Sequence, residues 1–309
     1  MKKITMRDTF WNRVYELAKE DKDVIVVAAD MGAPALDKFR TDLTNQFVNA
    51  GIAEQNAMLI STGLALAGKK VFVYAIAPFI TMRCYEQIRN YPAGMDLPVT
   101  VVGVGAGFSY EDSGPTHHSI EDITILRCLP NMQIFSASDN NMTAKFADMA
   151  YESKHPNYMR LDRIVLPNIY DEGYNFESGI GVLRKVADIN ILSTGNMIHT
   201  ALEVSDKLKE EGIDVGVIDA YKLPINYEVF KDTVANAKKI VTLEEHTLPG
   251  GLGSNVCEAV MDCGLPIQVK RLGLDFSKKY CYVYGGREVI HSAYGLNVES
   301  VQKIIKDMI

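Results

Sequence analysis

The sequence predicts two α/β domains, each built on a doubly wound sheet of mainly parallel strands. Short β-rich runs alternate with helical patterns almost throughout the 309 residues. The runs are apolar without polar alternation, which is typical of strands covered by helices on both faces. A stretch rich in Pro, Gly and Asn then interrupts the alternation. We therefore expect domains at 1–165 and 185–309, joined by a linker at 166–184.

The first domain opens with a helical pattern whose apolar face comprises Phe10, Val14, Leu17 and Ala18. Apolar runs then predict strands at 24–29, 71–76, 99–104, 132–137 and 158–161. Helical spacing between these runs predicts helices at about 54–67, 81–90, 119–128 and 140–152.

The second domain repeats the alternation. Its apolar runs predict strands at 189–194, 214–219, 239–245 and 267–273. Helices are expected up to about 211, near 227–237, from about 252, and after Asn297.

The composition is that of an ordinary globular protein, with 47% hydrophobic and 23% charged residues. A net charge of −7 argues against nucleic acid or an anionic membrane as a partner. No apolar run reaches the roughly 18 residues of a membrane-spanning helix. The first residues turn amphipathic and acidic at once, so we expect a cytoplasmic protein. Five cysteines without a CxxC pair predict neither a disulfide framework nor a structural zinc site.

Glu54 is the only carboxylate in the small, apolar stretch "FVNAGIAEQNAM" at 47–58. Gly51 and the helical pattern place it in the first turn of a helix, where the helix dipole favours a carboxylate with no further role. The preceding extended stretch also places it near the carboxyl end of a strand, where ligands bind in α/β folds. Its sequence neighbours offer no obvious positive partner. The functional alternative is a partly desolvated acid that exchanges a proton with a ligand nitrogen.

The segment "GVGAGFSYEDSGPTHHSIED" at 103–122 follows a predicted strand. Its glycines do not form the dinucleotide motif GxGxxG, because Phe108 occupies the sixth place. Ser119 and the acids after it fit a helix N-cap, whereas His117 and His118 need another explanation. His118 and Asp122 could hold a metal, but no third ligand follows at a useful spacing. We favour polar contact with a small hydroxylated substrate and assign no metal ligands.

Three further stretches have both a structural and a functional interpretation. Arg160 and Arg163 in "MRLDR" end a strand, where arginines are either solvated charges or phosphate contacts. Ile76 and Phe79 lie at a strand-to-helix turn, as core residues or as a platform for a ligand. "PGGLGS" at 249–254 precedes a helix and could bind an anion, but we favour a turn that glycine permits.

The order of five motifs resembles the C-terminal half of transketolases and, less closely, the corresponding part of deoxyxylulose-phosphate synthases. The motifs are "GIAEQN", "FITMRCYEQIR", "EDSGPTHHSIED", "CLPNMQIFSASDNN" and "MRLDR". The resemblance runs over nearly the whole chain, including "VTLEEHTLPGGLGS". It implies a thiamine-diphosphate pyrimidine-binding fold followed by a transketolase C-terminal-like domain.

The resemblance also implies a cofactor, thiamine diphosphate. Glu54 stands where the family has a glutamate that bonds a nitrogen of the aminopyrimidine ring and activates the cofactor. Ile76, Phe79 and Met82 are expected to contact that ring. Glu54 and His117 are the expected catalytic residues.

For the substrate, a sugar or sugar phosphate, the resemblance implies three contacts. His117 is similar to the histidine that contacts the hydroxyl and carbonyl end of the ketose, and Asp112 to an acid that contacts a sugar hydroxyl. Arg163 matches an arginine that binds the substrate phosphate. However, no histidine occurs between Gly103 and Thr116, where some transketolases have a second phosphate contact. Either Arg163 suffices, or the substrate is not an ordinary pentose phosphate.

The sequence contains no GDG triplet, the family's signature for the diphosphate and Mg²⁺ site. We therefore expect a split enzyme whose separate diphosphate-binding subunit holds Mg²⁺, assembled as an α2β2 heterotetramer. The expected reaction is transfer of a two-carbon ketol unit. The alternatives are the β subunit of a 2-oxoacid dehydrogenase, a deoxyxylulose-phosphate-synthase-like enzyme, and a non-catalytic scaffold that completes a partner's site.

Overall fold

The computed structural model describes residues 4–275 and 280–309. These residues form twelve strands and twelve helices. The strands are β1 (Val24–Ala28), β2 (Phe47–Asn49), β3 (Lys70–Ile76), β4 (Val99–Val104), β5 (Gln133–Ser136), β6 (Asn157–Leu161), β7 (Ile180–Arg184), β8 (Ile189–Ser193), β9 (Val215–Ala220), β10 (Lys222–Leu223), β11 (Lys239–Thr247) and β12 (Gln268–Leu274). The helices are α1 (Met6–Glu20), α2 (Pro34–Asp42), α3 (Glu54–Leu66), α4 (Ala77–Ile80), α5 (Tyr85–Ile88), α6 (Asp122–Arg127), α7 (Asn140–Glu152), α8 (Met197–Glu210), α9 (Tyr227–Thr233), α10 (Leu252–Asp262), α11 (Arg287–Ala293) and α12 (Val298–Lys306).

The first sheet has the strand order β10-β5-β6-β4-β3-β1-β2. Its neighbouring strands are parallel except β10, which runs antiparallel to β5. Helices α1 and α7 pack on one face, and α3 and α4 contribute to the core on the other. Strands β1, β4 and β6 are buried along their whole length, which explains their apolar sequences.

The second sheet has the order β12-β11-β8-β9-β7 and is parallel except for the β7–β9 pair. Helices α8 and α12 cover one face, and α10 contributes to the core on the other. The prediction of two mainly parallel α/β sheets is therefore confirmed. None of the described helices is long and apolar enough to cross a bilayer.

Two predicted helices of the first domain are wrong in their extent. Instead of one helix at 81–90, the chain forms the single turns α4 and α5 and then a π-helical turn at Arg89–Ala93. Pro78 near the start of α4 and Pro92 inside the π turn interrupt the backbone hydrogen bonds of a longer helix. The helix expected at 119–128 begins only at Asp122, because Ser119 forms a β-bridge with Gly107 and is not an N-cap.

Pairing across the domain boundary is the other difference from the sequence-based expectation. Strand β7 lies inside the expected linker but belongs to the second sheet, where it pairs with β9. Strand β10 follows β9 in the chain, yet it pairs with β5 of the first sheet. An ion pair also joins the domains, since Arg127 on α6 binds both carboxylate oxygens of Glu258 on α10 at 2.7 and 2.5 Å. The two domains are thus joined through both backbone and side chains.

Candidate cofactor and substrate site

The sequence-predicted site residues meet at one edge of the first sheet. Strands β2, β3, β4 and β6 are parallel, so their carboxyl ends lie at the same edge. Glu54 follows β2, Phe79 follows β3, the segment 105–121 follows β4, and Arg163 follows β6. The chain runs from β1 to β2 in one direction and then returns past β1 to β3. Such a switch point creates the crevice where α/β sheets bind ligands.

Glu54 is the first residue of α3 and is buried, with 5% of its surface exposed. Gly51 turns the chain into the helix with a φ of +74°, a conformation that favours glycine. The carboxylate has a positive partner after all, since Arg83 Nη1 donates to Glu54 Oε2 at 2.8 Å. The expectation of an unpaired acid is therefore wrong. Arg83 lies 29 residues further along the chain, so the neighbours of Glu54 could not reveal it.

Phe79 and its neighbours form the apolar side of the site. Ile76 ends β3, and Phe79 lies in α4, the turn that follows. Ile76, Phe79 and Met82 are only half-buried, so they are not simply core residues. The Arg83 guanidinium lies 4.3 Å from the Phe79 ring centroid, which places the cation that pairs with Glu54 against this aromatic ring.

His117 is half-buried and contacts the ring of Phe79. The two ring centroids are 5.0 Å apart at an interplanar angle of 67°. Thr116 Oγ1 lies 2.9 Å from His117 Nδ1 and fixes the orientation of the imidazole. Tyr110, whose ring centroid is 6.0 Å from that of His117, packs over Gly105, where an added Cβ would collide with the phenol ring.

Two arginines flank Tyr110. The Arg163 guanidinium lies 4.5 Å from its ring centroid and is exposed, as a phosphate contact requires. Arg7 on α1, which the sequence did not single out, is close enough to act on the same phenol. Burial raises the pKa of Tyr110, and the two guanidinium groups partly oppose that shift. Arg160 is fully buried instead, with its Nε 2.9 Å from Asp122 Oδ2, and cannot contact a phosphate.

Asp112 and His118 are placed differently. Asp112 is exposed on the segment 105–121 and has no hydrogen bond or ion pair to another described residue. His118 is buried against Phe108, with ring centroids 4.8 Å apart, and burial lowers the pKa of its imidazole. Asp122 accepts hydrogen bonds from Arg160 and Tyr158. No group of three metal-ligand side chains comes together among the described residues.

The glycine-rich "PGGLGS" stretch opens α10, and its helix N-terminus binds the chain's own carboxylate. Leu252 N and Gly253 N donate to the two oxygens of Glu244 at 2.7 and 2.8 Å. Burial nevertheless raises the pKa of Glu244 to about 8. This helix terminus is thus satisfied internally, in agreement with the structural interpretation of the motif.

A continuous series of contacts joins the candidate residues. Glu54 pairs with Arg83, which lies over Phe79, and Phe79 contacts His117. His117 in turn adjoins Tyr110, over which Arg163 lies. The site therefore has a buried acid at one end, an aromatic middle and two cations at the other end.

Comparison with protein families gives two matches that follow one another along the chain. Residues 2–168 match the transketolase pyrimidine binding domain, and residues 179–301 match the transketolase C-terminal domain. The chain belongs to the transketolase family. The family resemblance expected from the motifs is thereby confirmed, and membership implies the use of thiamine diphosphate.

Individual relatives cover the chain almost end to end. One of the two subunits of an apulose-4-phosphate transketolase from Phocaeicola vulgatus is 34% identical over 97% of this chain and 96% of the relative. A solved structure described as a split gene transketolase, inactive beta4 tetramer, is 32% identical with a TM-score of 0.86 and covers 98% of this chain and 97% of that one. A 1-deoxy-D-xylulose-5-phosphate synthase from Microcystis aeruginosa is 34% identical over 86% of this chain but only 42% of its own length.

Proposed function

We propose that this chain is the pyrimidine-binding subunit of a two-chain transketolase that transfers a two-carbon ketol unit from a ketose to an aldose. The observation that carries the proposal is the placement of buried Glu54 and half-buried Phe79 and His117 in one series of contacts at the switch point of the first sheet. Relatives that match over nearly their full length are transketolase chains, which favours ketol transfer over the dehydrogenase and synthase alternatives.

The residues fit the aminopyrimidine half of thiamine diphosphate. Arg83 occupies Oε2 of Glu54, which leaves Oε1 to bond a ring nitrogen. The half-buried Ile76, Phe79 and Met82 provide the apolar surface against which a flat ring packs. The bound cofactor supplies the carbon nucleophile that takes up the ketol unit. Glu54 holds and exchanges the proton at the ring nitrogen, and the low-dielectric surroundings strengthen that bond.

The remaining candidates fit a sugar that lies between Phe79 and Arg163. Because Thr116 engages Nδ1 of His117, Nε2 remains for a hydroxyl or carbonyl oxygen of the ketose. Asp112 is placed on the same segment to accept a hydroxyl proton. Arg163 and Arg7 form the positive end of the site, which suits a phosphorylated substrate.

A partner subunit would supply the diphosphate and Mg²⁺ site, for which the sequence has no GDG motif. Helix α3, which begins with Glu54, exposes large apolar side chains next to the site. Ile52, Leu59 and Leu66 are 82%, 43% and 59% exposed, and Tyr91 and Met95 are further exposed apolar side chains of this domain. Such a surface is typical of a protein interface. We propose that it binds the partner in a cytoplasmic α2β2 assembly.

The test is ketol transfer by the reconstituted complex with Glu54→Gln and His117→Ala. Both variants should fold and bind the partner, yet the Glu54→Gln complex should lose activity severely because glutamine cannot exchange the ring-nitrogen proton. Glu86→Gln, on the exposed surface of α5, is the matched control and should keep full activity. Full activity of both site variants would support the scaffold alternative, and release of CO₂ from pyruvate would support the synthase alternative.

A further inference from the structure

The segment 105–121, here called the His117 loop, is bonded to the second domain at several points. Phe108 N donates to Glu245 Oε2 at 2.9 Å, and Arg287 Nη2 donates to Ala106 O at 3.3 Å. At the other end of the loop, Thr247 N donates to Ile120 O at 2.9 Å. Side chains and backbone of the second domain therefore hold both ends of the loop that carries His117.

The His117 loop occupies the natural ligand crevice of the second sheet. The chain leaves β8 for β9 on one side and returns to β11 on the other, so the carboxyl ends of β8 and β11 flank a switch point. Glu245 and Thr247 lie at the end of β11, where a ligand would be expected. Gly107 makes the approach possible: its φ is +58°, and an added Cβ would collide with the Glu245 carboxylate.

A buried ion cluster fixes Glu245 in this position. Arg287 donates through Nε and Nη2 to the two oxygens of Glu245 at 2.7 and 2.5 Å, and His291 also contacts that carboxylate. Burial would raise the pKa of Glu245, but Arg287 and His291 hold it well below its usual range. The carboxylate is therefore ionised, and its bond to Phe108 N is charge-assisted.

The same cluster reaches the substrate end of the site. Arg287 Nη1 lies 2.7 Å from Asp162 Oδ2, and Asp162 Oδ1 accepts a hydrogen bond from Ser109 Oγ at 2.7 Å. Ser109 Oγ in turn accepts one from Arg163 N at 3.0 Å. Arg287 thus connects the His117 loop to the backbone of Arg163.

The segment 280–287 runs alongside the loop in the opposite direction. Arg287 N donates to Glu111 Oε2 at 2.8 Å, the Tyr284 hydroxyl lies over Gly114, and Tyr280 hydrogen-bonds Glu121. As the number rises on one segment, it falls on the other. The second domain therefore touches the loop along its length as well as at its two ends.

We propose that the second domain positions the site, with Glu245 and Arg287 as a positioning pair that holds the His117 loop in its reactive geometry. This role rests on the proposed transketolase function, because it assigns His117 to the substrate. Neither residue touches substrate or cofactor. They act through the backbone of the loop and through Asp162.

The test compares Arg287→Met and Arg287→Lys with a matched control, Arg127→Met. Arg127 also forms a two-bond ion pair with a glutamate across the domain boundary, Glu258, but does not contact the His117 loop. Hydrogen exchange of the full-length chain measures the loop directly and does not depend on the reaction. Steady-state kinetics of the complex with its partner then measure kcat and KM for the ketose.

With Arg287→Met, amides at 105–121 should exchange about tenfold or more faster, while those of β1, β4 and β6 are unchanged. The kcat/KM for the ketose should fall on the order of 10- to 100-fold, because displacement of a catalytic group by about 1 Å has effects of this size. Arg287→Lys, which keeps the charge but loses the fork, should recover part of both. Arg127→Met should change neither.

Unchanged exchange in the His117 loop with Arg287→Met would overturn the proposal, whatever the reaction proves to be. Faster exchange with unchanged kcat/KM would overturn it too, as would equal effects of Arg127→Met. A wild-type complex without ketol transfer would refute the proposed function instead. If Arg287→Met fails to fold, Arg287→Lys and Tyr284→Ala carry the test, since Tyr284 is 59% exposed and is not needed for the core.

Discussion

The pairing of Glu54 with Arg83 can be measured by a double-mutant cycle. The structure places the two charges across a 2.8 Å hydrogen bond, so the charge centres are about 4 Å apart. At effective dielectric constants between 80 and 20, such charges attract by about 1 to 4 kcal/mol. The Arg83 side chain is 46% exposed and that of Glu54 only 6%, so water screens the guanidinium. We therefore expect a coupling free energy of about 1 to 2 kcal/mol.

The assay is urea unfolding of the wild-type chain, Glu54→Gln, Arg83→Met and the double variant at neutral pH. Trp11 is the only tryptophan of the sequence and is fully buried in the first domain, so its fluorescence reports that domain. Arg83→Met should lower the free energy of unfolding in the wild-type background, because it leaves a buried carboxylate without its partner. In the Glu54→Gln background the same change should cost little.

Additivity of the two substitutions within about 0.5 kcal/mol would refute this reasoning, because it would mean that the two groups do not interact. Arg83→Lys serves as the control for charge alone. It keeps a cation near Glu54 but lacks the planar guanidinium over Phe79. We expect it to retain about half of the coupling or more, on the same scale of about 1 to 2 kcal/mol.

Three other predictions follow from the structure. Burial raises the pKa of Asp219 to about 8, so its contribution to stability is complete below the unfolded-state pKa of about 4 and is lost as pH rises towards 8. Asp219→Asn should flatten the fall in unfolding free energy over this range by up to about 1.4 kcal/mol per pH unit, and identical slopes in urea titrations would contradict this. Arg163→Ala should raise KM for a phosphorylated ketose on the order of tenfold while leaving a non-phosphorylated one unchanged, and equal effects in steady-state assays would exclude a phosphate contact. Gly107→Ala should lower the melting temperature and speed exchange in the His117 loop, because the added Cβ collides with Glu245, and wild-type values would show that the loop does not need this approach.

Local patterns predict most of the fold. The buried strands β1, β4 and β6 are apolar throughout, and Asn297 caps α12 through a bond to Ser300 N, so local sequence suffices to locate these elements. The predicted helix at 81–90 is wrong because Pro78 and Pro92 outweigh the helical spacing. Strand β7 falls within the predicted linker, since its partner β9 lies more than 30 residues away.

For the candidate site, the sequence supplies residues but not their partners. Position at a helix start places Glu54 correctly in α3, and strand ends place Phe79 and Arg163 at the same edge. The Glu54–Arg83 pair depends on the turns at α4 and α5, which helical spacing does not predict. The hold of Arg287 on the His117 loop joins residues more than 170 positions apart. Contacts of this kind follow from tertiary packing, to which local periodicity is blind.

Activity titrated against the diphosphate-binding subunit tests the central claim most directly. The chain is held at constant concentration, and ketol transfer is measured as the copurified partner is added with thiamine diphosphate and Mg²⁺. Half a site on each chain predicts no transfer by either chain alone and a rise that ends at one partner per chain. Ketol transfer by the chain alone, or activity that does not depend on the partner, would contradict the account.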